Sequence, residues 1–408
     1  MRILMSAYAC DPTQGSEPAC GWNWAYHTAQ LGHEVWCMTK IAHKENILRW
    51  IRKKPVNNLH FVFVSAGLGV DYLLRQFHYP IVYLHYLVWQ RYAYRQSVDL
   101  HREKHFDLVH HTSYGSLQLG SHLWKLGIPF VFGPLSGAQT VSPLLQQYLT
   151  RGKLKERLRL RVSKKLLHHN ERIPHALQHA HSVLAANQET YNFVKKLSAA
   201  QPSLILDAGI SKDFIPARYP VRPVRQEMHA LWLGRLVPHK GFSIVLRVFE
   251  ALGQEYPIYL DVVGEGPLAH HYRRKVYTLQ LTDTVTFHGN LPFAKLKQHY
   301  ATADVFMFCG LRNSLGIQVL EAMAYGLPLI GLNQHGVKTF IPDNAGIKVE
   351  LIETNQVIED LKQALVTLYL NPDERTWRGK NAYRWTQQHT WERKIASVSE
   401  QYQRLIDK

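Results

Sequence analysis

Short apolar runs alternate with amphipathic stretches along this chain. Runs at 2–9, 34–39, 60–64, 107–111, 129–133 and 182–186 have strand length, and 17–31, between the first two, reads as a helix. Such alternation predicts a parallel sheet with helices on both faces. Two long stretches interrupt it. Residues 70–105 are crowded with His and aromatics (Tyr72, Phe77, Tyr79, Tyr83, Tyr86, Trp89, Tyr92, Tyr94), and residues 150–181 are basic. Within the basic stretch Leu154, Leu158, Val162 and Leu166 recur at every fourth position, the apolar stripe of a helix. From 207 to 227 the periodicity stops, and Pro216, Pro220 and Pro223 mark a linker. The alternation then restarts, with strands at 229–234, 258–263, 284–288, 304–308 and 327–332. Helices are expected at 241–254, 267–280, 293–302 and 316–325, and the polar segment 374–408 is expected to be helical. The expected division is one α/β domain over 1–206, a linker over 207–227 and a second α/β domain over 228–389.

Composition supports two cores. At 408 residues, 46% hydrophobic and 19% charged, the chain is globular and too long for a single ordinary core. Its four cysteines lack C-x-x-C spacing, which argues against a disulfide framework or a zinc site and for a reducing cytoplasm. The first apolar run is cut short by Asp11-Pro12, so it reads as a buried strand and not an export signal. No stretch reaches the roughly 20 apolar residues that span a bilayer. The net charge of +17 calls for an acidic partner: nucleotide phosphates, an anionic membrane or nucleic acid. The charge clusters, with nine Lys/Arg against Glu156 and Glu171 between Arg151 and Arg172. No nucleic-acid-binding module accompanies the cluster, so nucleic acid is not expected as a partner.

Three turns in the second half carry candidate chemistry. The strand at 229–234 ends in Gly234-Arg235-Leu236-Val237-Pro238-His239-Lys240-Gly241, two cations at the strand edge where open α/β sheets bind ligands. Arg235 is able to fork two phosphate oxygens and Lys240 to add a point charge; a solvated turn with a glycine cap is the plainer alternative. Leu311 to Gly326 reads as a turn with Gly316 followed by an amphipathic helix, whose free N–H groups suit a pyrophosphate. Glu321, inside that helix among apolar neighbours, needs a partner: a ribose diol, or a nearby Lys or Arg. Val262-Val263-Gly264-Glu265-Gly266-Pro267 alone is an ordinary strand-to-helix loop.

With Phe287-His288-Gly289, Gly15-Ser16-Glu17-Pro18 and Gly32-His33-Glu34-Val35, these turns make the chain resemble the retaining glycosyltransferases of family 4 over nearly its whole length. The resemblance implies a GT-B fold: two Rossmann-like domains facing each other across a cleft, with a C-terminal helix at about 390–408 crossing back to the first. It implies a nucleotide-diphosphate sugar as co-substrate, with Arg235 and Lys240 on the diphosphate. Ser314, Leu315, Gly316 and Ile317 would cap the distal phosphate, and Glu321 would hold the donor ribose. Gly15 and Ser16 would close over the phosphates from the first domain, and Gly264 and Gly289 would flank the base. No metal is expected, and no Asp-x-Asp occurs. The departing diphosphate is itself able to take the acceptor's proton, so the protein positions reactants and stabilises leaving-group charge.

Two departures stand out. The family pattern pairs two acids eight positions apart; here Asn313 holds the first position and Glu321 the second. Where many members carry a His, this chain reads Gly133-Pro134-Leu135-Ser136-Gly137. His111, at a strand end, is an acceptor-side candidate, with core packing as the alternative. The acceptor is expected to be a glycan or a lipid-linked molecule in cell-surface polysaccharide or glycolipid synthesis. Lys153, Lys155, Arg157, Arg159, Arg161, Lys164 and Lys165 on the basic helix, with the aromatics of 70–95, are candidates to meet an anionic membrane at the inner face of the plasma membrane. The alternative is a core-packed helix with a solvated basic face. Rival functions are a nucleotide-sugar epimerase on the same fold and a catalytically weak nucleotide-sugar-binding subunit.

Overall fold

The computed structural model describes residues 1–67, 69–71, 81–223 and 225–407. The chain forms two compact units, one of Met1–Ala138, Val162–Ala208 and Trp391–Lys408, the other of Gln139–Arg161 and Gly209–Thr390. The strands of the first unit are β1 (Arg2–Ala7), β2 (Glu34–Lys40), β3 (Leu59–Val64), β4 (Leu108–Ser113), β5 (Phe130–Leu135), β6 (Ser182–Ala185) and β7 (Ser203–Leu204). They pair in parallel in the order β3-β2-β1-β4-β5-β6-β7. Every residue of β4 and β5 is buried, as strands covered on both faces require. Around the sheet lie α1 (Ser16–Gln30), α2 (Lys44–Lys53), α3 (Ile81–Lys104), the part from Val162 onward of α4 (Lys153–His169), α5 (Arg172–Gln178) and α6 (Gln188–Val194).

The second unit holds β8 (Met228–Leu233), β9 (Ile258–Val263), β10 (Val285–Gly289), β11 (Val305–Phe308), β12 (Leu329–Leu332) and β13 (Gly346–Val349), parallel in the order β10-β9-β8-β11-β12-β13. Its helices are α7 (Phe242–Leu252), α8 (Ala269–Thr278), α9 (Phe293–Thr302), α10 (Ile317–Ala324), α11 (His335–Phe340), α12 (Thr354–Leu370) and α13 (Pro372–Gln387). One core joins Trp232 of β8, Phe242 and Phe249 of α7, Tyr272 of α8 and Leu361 of α12. The last helix, α14 (Trp391–Ile406), belongs to the first unit: Tyr402 meets His110 Nδ1 of β4 at 2.6 Å, and Lys394 Nζ donates to Ala208 O at 2.9 Å.

Two boundaries differ from the sequence reading, and so does the placing of one stretch. Segment 139–161 packs with the second unit, because Val141, Leu145 and Leu149 are buried in that core and Thr354 Oγ1 donates to Leu144 O at 3.0 Å. The stretch expected as a linker is instead fastened to the second unit from Gly209 onward. There Arg222 donates to the carbonyls of Ala303, Tyr300 and Tyr325. The aromatic stretch is partly interior: Tyr86 and Trp89 of α3 are fully buried, with Trp89 Nε1 donating to Val64 O at 3.2 Å, whereas Tyr92 is exposed. Trp89 therefore offers no ring to a membrane surface; Tyr72, Phe77 and Tyr79 lie outside the described residues.

Both sheets reverse strand order next to their first strand, at β1/β4 and at β8/β11. Loops leaving neighbouring strands part there and open a crevice at the carboxyl edge. In the first unit Glu17, in the first turn of α1, bridges this point by accepting from Gly115 N, beyond β4, at 3.3 Å. Burial raises the Glu17 carboxyl from 4.5 to about 7. A carboxyl raised in the folded state holds a proton that the unfolded chain has lost, so its stabilising contribution is complete below about 4.5 and lost as the pH rises through about 7. Urea unfolding of E17Q is therefore expected to lose about 1–3 kcal/mol less stability between those two pH values than wild type; parallel profiles would refute the buried carboxyl.

Candidate functional site

At the switch point of the second sheet, the loop after β8 carries Arg235, His239 and Lys240, and the loop after β11 carries Arg312, Asn313 and Ser314. The pairing of β8 with β11 makes the loops neighbours, and three contacts lock them. Leu311 N donates to His239 O at 2.9 Å. Lys240 Nζ donates to Asn313 Oδ1 at 2.9 Å. Gly241, at φ +72°, lies so close to Cys309 that a Cβ there would sit 1.8 Å from its carbonyl oxygen, so only glycine fits.

Four cations act on one histidine at this edge. His239 is pushed down to about 3, by burial first and then by the fields of Arg312, Lys240, Arg159 and Arg235, so the ring is neutral at physiological pH. Glu156, only 8% exposed, opposes the cations: it takes a forked pair of bonds from Arg159 (3.0 and 2.7 Å) and lies 3.2 Å from Arg312 Nε. Arg159 thus turns toward this cluster and away from the surface, and it leaves the set of membrane-facing candidates. The Arg235 guanidinium has no hydrogen-bond or ion-pair partner among the described residues. It lines a cavity of about 560 Å³ together with Gly264, Glu265, Asn290, Leu291 and Leu296. That volume falls within the range of small-molecule sites.

The helix end expected to face a phosphate is present. Gly316, at φ +104°, caps α10 without a side-chain hydrogen bond, leaving N–H groups at Gly316, Ile317 and Gln318. The loop before it is backed from below: Gly336 packs against Ser314, and Gln334 Nε2 donates to Gly310 O at 3.0 Å. Leu315 is buried. The protein partner of Glu321 is neither Lys nor Arg: Tyr300 Oη donates to its Oε2 at 2.7 Å. Burial raises the Glu321 carboxyl, against that hydrogen bond, and Oε1 keeps its acceptor capacity. Gly264, at φ +126°, approaches Gly234, and its N–H donates to Gly289 O at 2.8 Å; the two glycines join the loop of β9 to the end of β10 beside the cavity.

In the first unit Gly15 and Ser16 are exposed at the start of α1. Their loop hangs from Asp11, a residue that the sequence reading used only as a strand terminator. Asp11 is fully buried and accepts from Thr13 N (2.8 Å), Thr13 Oγ1 (2.7 Å), Gln14 Nε2 (2.9 Å) and Asn46 Nδ2 (2.9 Å). Burial pushes its carboxyl up, but bonds from Asn46, Thr13 and His43 outweigh it and hold the group below its usual range. The Asp-x-Thr spacing of an Asx turn was the available signal. His111 does not fit the role expected of it. It is buried in β4, with Nε2 at 2.8 Å from Tyr86 Oη and Nδ1 at 3.0 Å from Ser121 Oγ, so both ring nitrogens are spent inside the unit. Burial pushes it down to about 4.

Known proteins resemble the chain in two ways. Residues 222–385 match the family described as Glycosyl transferases group 1. A GDP-mannose-dependent alpha-(1-6)-phosphatidylinositol monomannoside mannosyltransferase of Mycobacterium tuberculosis is 29% identical over 177 residues, 41% of this chain and 45% of that protein. The chain thus spans under half the length of this curated relative. In structure, a sucrose-phosphate synthase from Thermosynechococcus elongatus has a TM-score of 0.69 at 18% identity, over 100% of this chain and 99% of its own. Anabaena HepE in complex with UDP has a TM-score of 0.64 at 14% identity, over 99% and 100%. The architecture is therefore that of GT-B, two parallel-sheet Rossmann-like units, and the match to Glycosyl transferases group 1 falls within the second of them.

Proposed function

We propose that the chain is a glycosyltransferase that moves a hexose from a nucleotide-diphosphate sugar to a glycan or lipid-linked acceptor, with retention of configuration and without a metal in the chemical step. One observation carries this reading: Arg312, Lys240, Arg159 and Arg235 all act on His239, at the strand edge of a cavity whose volume suits a nucleotide. Clustered cations in a partly buried edge are best stabilised by a multivalent anion, and a diphosphate supplies one. As the sugar–phosphate bond breaks, negative charge grows on the departing oxygen. Arg235, Lys240 and the N–H groups at Gly316 and Ile317 stabilise that charge without rearranging. The mannosyltransferase and the UDP complex named above support a nucleotide co-substrate.

Asn313 fits the same logic. A Glu at this position would pair with the charge of Lys240, whereas the amide accepts its hydrogen bond without adding a negative charge beside it. Because Lys240 donates to Oδ1, Nδ2 is left as a buried donor without a partner in its own unit, suited to a sugar or phosphate oxygen. The same substitution favours a second reading, a subunit that binds a nucleotide sugar and transfers it slowly or not at all.

The acceptor side follows from α4. Its stripe is turned outward, with Leu154 79%, Leu158 60% and Val162 50% exposed, and Lys153, Lys155, Arg157, Arg161, Lys164 and Lys165 are exposed around it. Apolar side chains flanked by cations suit an anionic lipid surface, and hence peripheral attachment at the inner face of the plasma membrane during surface polysaccharide or glycolipid assembly. Among the described residues no helix is long and apolar enough to cross a membrane. The matched mannosyltransferase is named for a phosphatidylinositol-based acceptor, which supports a lipid-linked one.

Two outcomes follow. In a thermal-shift panel of nucleoside diphosphates, one of UDP and GDP is expected to raise the midpoint by mass action. R235A and K240A should each abolish most of that rise; an undiminished rise in both would remove the pair from the site. In liposome flotation the protein should float with anionic vesicles at low salt and not with neutral ones, and L154E/L158E should cut the bound fraction at least several-fold. Equal recovery from both vesicle types would defeat the membrane reading.

A further inference from the structure

Three imidazoles and a carboxylate meet on the sheet face that α9 covers in the second unit, and the donor reading gives them no task. His229 stands on β8, Asp261 on β9, His288 on β10 and His299 on α9. His229 Nδ1 lies 3.0 Å from Asp261 Oδ2, and His288 Nε2 lies 2.6 Å from Asp261 Oδ1. The rings of His288 and His299 are 4.4 Å apart at 56°. One ligand atom each from Asp261, His288 and His299 lies within 4.8 Å of the others, and all three residues are half-buried. Among the described residues Asp261 pairs with no Lys or Arg.

We propose that Asp261, His288 and His299 bind a divalent transition-metal ion of the zinc class. Tetrahedral zinc bonds of about 2.0 Å hold ligand atoms about 3.3 Å apart. His288 and Asp261 already approach to 2.6 Å and all three ligand atoms lie within 4.8 Å of one another, so shifts of about 1–2 Å in the side chains would close the site. Two imidazoles and a carboxylate with no thiolate select zinc, nickel, cobalt or copper over magnesium or calcium. His229 occupies the second oxygen of Asp261, an outer contact of the kind that orients metal-bound carboxylates. Three protein ligands on a half-buried face leave a fourth position for water.

The neighbours of these ligands give the ion a positioning role. His288 adjoins Gly289, and Asp261 precedes the Gly264 turn. His299 adjoins Tyr300, which donates to Glu321, and α9 also carries Leu296 of the cavity wall. A metal here ties β9, β10 and α9 together on the cavity's side of the sheet. It takes no part in phosphate chemistry, and the inference stands whether or not the donor reading does.

The test uses the full chain, stripped of metal with a chelating resin and titrated with Zn²⁺ and Mg²⁺ by calorimetry. One saturable Zn²⁺ step with no Mg²⁺ step is expected. H288A and H299A should each weaken the Zn²⁺ step by roughly 100-fold. H179A, which removes an exposed imidazole of the first unit, should leave it unchanged. Co²⁺ added to the wild type should give the intense visible bands of a four-coordinate ion, a readout that no variant's folding affects. A Zn²⁺ isotherm identical in wild type, H288A and H299A would overturn the proposal. So would only the weak bands of six-coordinate Co²⁺, since the four groups would then be an imidazolium–carboxylate network alone.

Discussion

Four cations gathered about one histidine are the constraint on which the second unit depends. Arg159, Arg235, Lys240 and Arg312 all act on His239, and Glu156 is the carboxylate in contact with two of them. Burial and these neighbours leave the histidine no means of charging, so it serves as neutral packing between the loops. Glu156 arrives on segment 139–161, which explains why that stretch folds with the second sheet: its apolar side enters the core and its carboxylate holds two arginines apart.

Backbone geometry brings these charges together. β8 and β11 are neighbours at the point where the sheet's strand order reverses, and their loops must part at the carboxyl edge. Gly241 lets the first loop press against Cys309, and Leu311 bonds His239 across the gap. The first sheet repeats the plan at β1 and β4. There buried Asp11 shapes the loop that presents Gly15 and Ser16, and Glu17 reaches Gly115. Both sheets place glycine turns at the same topological position.

Much of this was legible because it is local. Strand-length apolar runs and the turns at Gly234, Gly264 and Gly316 announced both sheets and the glycine loops at their carboxyl edge, since period and turn chemistry act over a few residues. What depends on distant pairing was not legible. Glu321 gave no sign that Tyr300 would be its partner, and Arg159 reads as one of seven cations until Glu156 is seen to turn it inward. His111 looked available at a strand end, but Tyr86 and Ser121, far apart in the chain, occupy both of its nitrogens. His229, Asp261, His288 and His299 have no metal-site spacing, and only the sheet makes them neighbours. The segment from Gly209 to Pro223 looked like a free linker because no periodicity reveals that Arg222 fastens it to three carbonyls.

The central claim is that this cationic edge recognises two phosphates and not merely a base and a ribose. Calorimetry comparing UDP and GDP with their monophosphates and free nucleosides, over a series of salt concentrations, measures that directly. Affinity should fall at least tenfold with each phosphate removed, and the diphosphate's affinity should weaken steeply with salt. Equal, salt-insensitive affinities for diphosphate and nucleoside would contradict the account.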